Sequence, residues 1–122
     1  MKMKFYQYEK CESCRKARKW LNHKRFAYES IEIRECPPPV KELKAMLDAH
    51  GGRLKKIMNT SSMDYRDPKV KEKLPQMTEK DVLSLLSTRG NLIKRPFLIS
   101  GNIYLQGFKP DLWEKAFASL LK

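Results

Sequence analysis

Residues 3–21, MKFYQYEKCESCRKARKWL, decide the fold that the rest of the chain must complete. The first six of them alternate apolar and polar side chains, a pattern typical of a β-strand. From Arg15 to Leu21 the apolar side chains recur at helical spacing, which predicts an amphipathic helix. Cys11 and Cys14 therefore lie at a strand-to-helix turn.

A cysteine at such a turn has its sulfur near the helix N-terminus, where free backbone N–H groups favour an anion. A free cysteine titrates near about 8.5, and neighbouring cations such as Lys10, Arg15 and Arg18 lower that value. Cys14 follows one turn later on the same face. We therefore predict that Cys11 is the attacking thiolate and Cys14 the resolving thiol. Either sulfur enclosed in apolar packing, or two sulfurs that face opposite ways, would contradict this hypothesis.

The middle of the chain continues the α/β pattern. Residues 27–33 alternate with β-branched side chains and predict a second strand, and the strand–helix–strand order implies a right-handed crossover with parallel strands. Three prolines at 37–39 end this strand. The next predicted elements are a helix that presents Val40, Leu43, Met46 and Leu47 and ends at Gly51-Gly52, a short helix at 54–57, a turn at 59–62 and a helix at 67–74.

The last third of the chain predicts a helix, a hairpin and a closing helix. A capping box at 78–81 opens the first of these helices, which is expected to bury Val82, Leu85 and Leu86 and to end at Gly90. Residues 97–100 and 103–106 form the hairpin through a two-residue turn. The closing helix begins at 109–111, and its expected apolar face comprises Leu112, Trp113, Ala116, Phe117, Leu120 and Leu121.

These elements predict an α/β, thioredoxin-like fold. Its four-stranded mixed sheet combines a βαβ unit with a β-hairpin and a C-terminal helix, and a helical insertion at about 39–92 separates the second and third strands. At 122 residues, the chain is expected to form a single domain spanning 1–122.

Composition limits the setting and the partners. The formal charge of +12 comes from basic residues interleaved with acidic ones, so we expect a solvated, monomeric protein that does not bind nucleic acid directly. With no long apolar run and no signal-like N-terminus, membrane insertion and export are not expected. Three cysteines, two at redox spacing, favour the cytoplasm. Cys36, His23 and His50 lack a recognised ligand spacing, so no metal site is predicted.

Four segments resemble the arsenate reductase-like family (ArsC) that also contains the Spx and MgsR regulators. Together they span nearly the whole chain. The first and fourth segments, at the separation they have in this sequence, are specific for the family. The segments are 8–17 with Trp20-Leu21, Pro38-Pro39 with Glu42-Leu43, 58–61 with Tyr65-Arg66, and 92–98 with Gly107-Phe108 and Trp113.

The resemblance implies a cis Arg95–Pro96 peptide bond and a guanidinium beside Cys11. Arg95 would stabilise the thiolate and hold an oxyanion or a carboxylate. The residues expected to bind substrate anions are Lys10, Ser13, Arg15 and Arg95.

Two departures from the family pattern weaken arsenate as the substrate. Asn59 stands where arsenate-reducing members use an arginine, and 106–108 also lacks one. Residues 59–61 resemble the branch nearer Spx and MgsR, in which a second cysteine at the position of Cys14 is typical. Ser62 stands where that branch has glycine.

Two functions remain open, besides an inert or metal-clip motif. The first is a thiol–disulfide oxidoreductase without a bound cofactor, in which thioredoxin or glutathione (with glutaredoxin) regenerates the Cys11–Cys14 dithiol. The alternative is an Spx-type redox sensor whose Cys11–Cys14 disulfide alters a surface that docks on the RNA polymerase alpha subunit.

Overall fold

The computed structural model describes residues 3–118. None of the helices in this range has both the length and the apolar character needed to cross a bilayer. The strands are β1 (Met3–Gln7), β2 (Glu29–Glu32), β3 (Phe97–Ser100) and β4 (Ile103–Gln106). The helices are α1 (Glu12–His23), α2 (Val40–Ala49), α3 (Leu54–Ile57), α4 (Met63–Arg66), α5 (Pro68–Lys73), α6 (Glu79–Leu86) and α7 (Pro110–Ala116), with 3₁₀ turns at Leu74–Gln76 and Gly90–Leu92.

The four strands form one mixed sheet in the order β2-β1-β3-β4. β1 pairs with β2 in parallel and with β3 in antiparallel orientation, and β3 pairs with β4 as a hairpin. Gly101 supplies the positive φ, 58°, that the hairpin turn requires. The predicted thioredoxin-like sheet is confirmed. Its central strand β1 leads directly into the turn that carries Cys11.

The described chain divides into two compact units. One, the sheet unit, combines the residues before Ile33 with those after Lys94, and the other, the helical unit, is Ile33–Lys94. The helices predicted for the insertion at about 39–92 lie within the helical unit. The prediction that the chain is a single domain stays a prediction.

The core of the sheet unit is built on one face of α1. Ala17 and Leu21, one turn apart, are fully buried against the sheet and α7. The indole of Trp113 is also buried, and its Nε1 donates to the carbonyl oxygen of Gly107 at 3.1 Å. The buried cluster comprises Met3, Phe5, Ala17, Leu21, Leu98, Trp113 and Phe117. This packing fixes α1, and therefore the direction of its N-terminus, relative to β1.

The structure confirms several local predictions in the helical unit and corrects others. The capping box at Thr78 and Asp81 is formed. However, α6 ends at Leu86, because the hydroxyls of Ser87 and Thr88 bond back to carbonyls of the preceding turn. Gly90 instead permits close packing, since a Cβ there would lie 1.9 Å from the carbonyl oxygen of Ile33.

Other corrections concern which side chains the helices bury. On α6, Val82 and Leu86 are buried as predicted, but the third buried residue is Leu83, and Leu85 is only half-buried. Val40, the first residue of α2, is exposed because the helix packs through its later turns. Leu112 of α7 is 52 % exposed, while Trp113 and Phe117 are buried. The predicted positions Leu120 and Leu121 lie outside the described residues.

Two element boundaries also differ from the prediction. β2 covers only Glu29–Glu32 of the predicted 27–33, because it pairs on one side with the last four residues of β1. The turn at 59–62 is followed by an unpredicted helix, α4, which the Ser62 hydroxyl caps by accepting from the Tyr65 N–H at 3.1 Å. A hydroxyl at position 62 therefore has a structural role in this chain.

Candidate functional site

Cys11 is the N-cap residue of α1. Its backbone is extended (φ −80°, ψ 124°), and its sulfur accepts a hydrogen bond from the Cys14 N–H at 3.4 Å. The Cys11 N–H donates to the carbonyl oxygen of Tyr8 at 3.0 Å, which closes the turn after β1. The half-buried Cys11 sulfur thus takes the place of the serine or aspartate oxygen that usually caps a helix. An ionised sulfur is favoured at this position by the helix dipole.

Cys14 lies one turn into the helix and is fully buried. Its sulfur accepts a hydrogen bond from the Tyr8 N–H at 3.5 Å and shares a side-chain hydrogen bond with Cys11. Both cysteines are free thiols in this structure. Cys14 has no exposed surface, but its sulfur lies against two polar partners, the Tyr8 N–H and the Cys11 sulfur. The two sulfurs therefore face each other, and neither contradicting outcome is found.

Arg95, two residues before β3, completes the site. The Arg95–Pro96 peptide bond is cis, as the resemblance implies, and Pro96 is buried. The Arg95 side chain hydrogen bonds to the Cys11 sulfur, and its Cζ lies over the Tyr8 ring, 5.0 Å from the ring centre. The guanidinium therefore contacts both the candidate nucleophile and an aromatic face.

These contacts lower the pKa of Cys11 from its ordinary value of 9.0 to about 5. The largest cause is the side-chain hydrogen bond from Cys14, and the Cys14 N–H and the charge and hydrogen bond of Arg95 act in the same direction. Partial burial of Cys11 opposes them but is outweighed. At neutral pH the Cys11 sulfur is predominantly a thiolate.

The pKa of Cys14 is raised strongly. The hydrogen bond to Cys11 is the main cause, because the protonated Cys14 thiol donates this bond to the Cys11 thiolate and would lose it on ionisation. Burial adds to this, and the neighbouring negative charge of Cys11 acts in the same direction. The pair therefore holds one proton and one negative charge, with the charge on the more exposed sulfur.

The cations that are close to Cys11 in sequence contribute less than expected. The lowered pKa of Cys11 derives from Cys14 and Arg95, not mainly from Lys10, Arg15 and Arg18. Arg18 instead donates to the Gln7 side chain and, at 3.4 Å, to the Glu9 carbonyl. The remaining predicted anion-binding residues, Lys10, Ser13 and Arg15, are exposed around the N-terminus of α1.

The other candidate residues have separate places. Cys36 is an exposed free thiol in the helical unit. Within residues 3–118, no cluster of three histidine, cysteine or carboxylate side chains could hold a metal ion. Asn59 accepts from the Ser61 N–H through its side chain and from the Ser62 hydroxyl through its carbonyl, so it shapes the turn before α4.

Tyr8 is the residue of this site that sequence reasoning missed. Its backbone contacts both cysteines and its ring contacts Arg95. The sequence places Tyr8 in the alternating run of β1 and at the start of the ArsC-like segment 8–17, without a role at the site, because an aromatic residue in a strand is usually explained by packing. The available signal was its position three residues before Cys11, within that segment.

Comparison with known proteins places this site in a family. The ArsC family model matches residues 6–116, which include Tyr8, both cysteines and Arg95. The chain belongs to the ArsC family. The same match covers the end of β1, α1, β2, the helical unit and the hairpin, so the ArsC assignment applies to nearly the entire chain.

Individual ArsC-family relatives extend this result. YusI of Bacillus subtilis, an uncharacterised protein, is 46 % identical over 118 residues, covering 97 % of this chain and all of YusI. An ArsC family related protein from Bacteroides fragilis has a crystal structure that is 43 % identical, covers 95 % of this chain and 98 % of that one, and superposes with a TM-score of 0.84. The global transcriptional regulator Spx of Enterococcus faecalis is 30 % identical over 106 residues, and the match covers 87 % of this chain and 79 % of Spx.

Proposed function

We propose that this protein is a thiol–disulfide oxidoreductase with Cys11 as nucleophile and Cys14 as resolving thiol. One observation carries the proposal: the half-exposed Cys11 sulfur at the N-terminus of α1 is hydrogen bonded to the buried Cys14, and this contact shifts the pKa values of the two thiols in opposite directions. An attacking thiol must be ionised and accessible, whereas a resolving thiol must be held in reserve next to it.

The reaction follows from this division. The Cys11 thiolate attacks one sulfur of a substrate disulfide, and the other substrate sulfur leaves as a thiolate that takes a proton from solvent. Cys14 then loses its proton and attacks the Cys11 sulfur, forming the Cys11–Cys14 disulfide and releasing the second substrate thiol. The substrate gains two electrons and two protons: the protein supplies both electrons and the Cys14 proton, and solvent supplies the other proton. Thioredoxin, or glutathione with glutaredoxin, returns the two electrons in the second half of the cycle, which restores the Cys11 thiolate and the protonated Cys14.

The Cys11 thiolate keeps Cys14 unreactive until a mixed disulfide has formed. While Cys11 is a thiolate, its negative charge and hydrogen bond keep Cys14 protonated. Once Cys11 is in a mixed disulfide, that charge is gone, and the Tyr8 N–H and the charge of Arg95 favour ionisation of Cys14. Cys14 thus becomes nucleophilic only when there is a mixed disulfide to resolve.

An anionic substrate group would meet Arg95, together with the exposed Lys10, Ser13 and Arg15 at the N-terminus of α1. The same arrangement would accept an oxyanion. Because Asn59 and 106–108 lack the further arginines of arsenate-reducing members, we favour a disulfide, including a glutathione mixed disulfide, over arsenate.

The test is to incubate the reduced protein separately with arsenate, peroxide and a glutathione mixed disulfide, and to measure formation of the Cys11–Cys14 bond by mass spectrometry. The mixed disulfide is expected to give the fastest reaction, and Cys14→Ser should trap the substrate on Cys11. Cys36→Ser is the matched control and should react like the wild type. If none of the three oxidants yields the bond at a useful rate, the enzymatic proposal fails.

A second function is favoured by the similarity to Spx and to the regulatory protein MgsR of Bacillus subtilis, which is 28 % identical over 106 residues. In this alternative the dithiol is a cytoplasmic sensor, and the monomeric protein docks on the RNA polymerase alpha subunit. The exposed basic residues of and around α1 would face an acidic partner; they are Lys10, Arg15, Lys16, Lys19 and Arg25.

A pull-down with the C-terminal domain of the alpha subunit, before and after oxidation of the dithiol, separates the two functions. Retention that changes with oxidation would favour the regulator. Absence of the alpha-subunit domain from both eluates would exclude it.

A further inference from the structure

Tyr8 contacts every reactive group of the site. Its N–H donates to the Cys14 sulfur at 3.5 Å, and its carbonyl accepts from the Cys11 N–H at 3.0 Å. Its ring lies under the Arg95 guanidinium, with 5.0 Å between Cζ and the ring centre. The first two contacts are made by the backbone, and only the third depends on the side chain.

We propose that the Tyr8 ring is a positioning element that holds the Arg95 guanidinium against the Cys11 sulfur. This inference rests on the proposed function only in taking Cys11 as the nucleophile. Tyr8 acts through Arg95, whose side chain hydrogen bonds to the Cys11 sulfur.

The physical argument begins with the flexibility of arginine. A half-exposed arginine side chain populates many rotamers, and holding it in one of them costs conformational entropy. A cation–π contact offsets part of that cost because the aromatic face attracts the positive charge. It consumes no N–H donor, so the guanidinium can still donate to the Cys11 sulfur.

The geometry also makes the side chain separable from the turn. Because the hydrogen bonds from residue 8 to the two cysteines are made by its backbone, replacing the side chain leaves those bonds in place. Tyr8→Phe keeps an aromatic face, whereas Tyr8→Leu keeps the apolar bulk without it. A difference between these two variants therefore reports the contact with Arg95.

The experiment measures the pKa of Cys11 by the ultraviolet absorbance of its thiolate, with all variants made in a Cys36→Ser background so that the exposed third thiol does not contribute. Tyr8→Leu is expected to raise the pKa of Cys11 by about 0.4 to 0.7 unit, the range that corresponds to an exposed cation–π contact. Tyr8→Phe should leave the pKa of Cys11 at its wild-type value. The matched control is Tyr28→Leu, which removes a ring packed on Phe5 and bonded to Asn22 in the last turns of α1, and it should leave the pKa of Cys11 unchanged.

A double-mutant cycle distinguishes positioning from a general structural effect. In an Arg95→Met background, Tyr8→Leu should no longer shift the pKa of Cys11, because there is no charge left to position. An equal shift in both backgrounds, or no shift in either, would overturn the inference. Disulfide reduction by the wild type is measured in parallel, so that loss of the proposed function and loss of the Tyr8 effect are seen independently.

Discussion

The two ends of α1 have very different surroundings. At its N-terminus the helix is capped by the sulfur of Cys11, which stays half exposed and is hydrogen bonded to a thiol and a guanidinium. Near its C-terminus, Trp20 packs against the rings of Trp113 and Phe117, with ring centres 5.6 and 5.5 Å away. The aromatic end fixes the helix in the core, and the polar end uses the direction of the fixed helix to stabilise an anion. Changes at the two ends should therefore affect different properties.

The largest expected effect is loss of chemistry at the polar end. Cys11→Ser removes the only proposed nucleophile, so disulfide reduction should fall at least about a thousandfold. The free energy of unfolding should fall by at most about 2 kcal/mol, the contribution expected from the ionised Cys11 sulfur. Measuring turnover and denaturant unfolding on the same sample tests both statements. A Cys11→Ser protein that still reduces the substrate would place the nucleophile elsewhere.

At the aromatic end we expect the opposite result. Trp113→Ala removes a buried ring and leaves a cavity, which should lower the free energy of unfolding by about 4 kcal/mol. In the fraction that remains folded, the pKa of Cys11 should be unchanged. Leu112→Ala is the matched control, since this neighbouring side chain is exposed and its loss should be nearly neutral. A shifted pKa of Cys11 in Trp113→Ala would mean that the two ends are coupled.

The aromatic end and the polar end of α1 also differ in how much of their structure the sequence predicts. The aromatic end was largely predictable, because Trp113 and Phe117 recur at helical spacing and buried helix faces carry that pattern. The exposure of Leu112 was not predictable, because periodicity indicates which face of a helix is apolar but not which residues at the border of that face are exposed. The hairpin at Gly101 and the capping box at Thr78 were predictable because both depend on residues close in sequence.

The polar end was predictable only in part. The place of the two cysteines at a strand-to-helix turn predicted that Cys11 lies at the N-terminus of α1 and that Cys14 lies one turn deeper. The contact between Tyr8 and Arg95 joins residues far apart in the chain, so no local pattern could indicate it. Local sequence was misleading for Arg18, which was expected to stabilise the thiolate but bonds to Gln7 and the turn before Cys11.

A third prediction concerns the pH dependence of stability in the reduced protein. The pKa of Cys11 is lowered on folding, from 9.0 to about 5, so in that window the unfolded chain binds one more proton than the native state. Stability from this group is complete above about pH 9 and is lost as the pH falls toward 5. Allowing for solvent screening of a half-exposed sulfur, we expect a loss of about 2 kcal/mol.

The measurement is the difference in unfolding free energy between the reduced wild type and Cys11→Ser across this range. Other titrating groups are common to both proteins and cancel in the difference. Cys14 stays protonated in the native protein, and in the unfolded chain it ionises only near pH 9, so below about pH 8 it adds almost nothing to the change. A difference that does not change with pH would mean that Cys11 is not ionised in the native protein.

The smallest expected effect is at the surface of the aromatic end. Glu114 accepts hydrogen bonds at 3.1 Å from both the Trp20 Nε1 and the Lys24 ammonium, and the Lys24 bond is the main cause of its lowered pKa. Glu114→Gln keeps an oxygen that can accept from the indole but removes the charge. Because the ion pair is exposed, the variant should melt only slightly below the wild type at low salt, and the two should coincide at high salt, where the charges are screened. The pKa of Cys11 should be the same in both proteins. If it moved, charge at the far end of α1 would influence the thiolate, and the separation of the two ends would have to be abandoned.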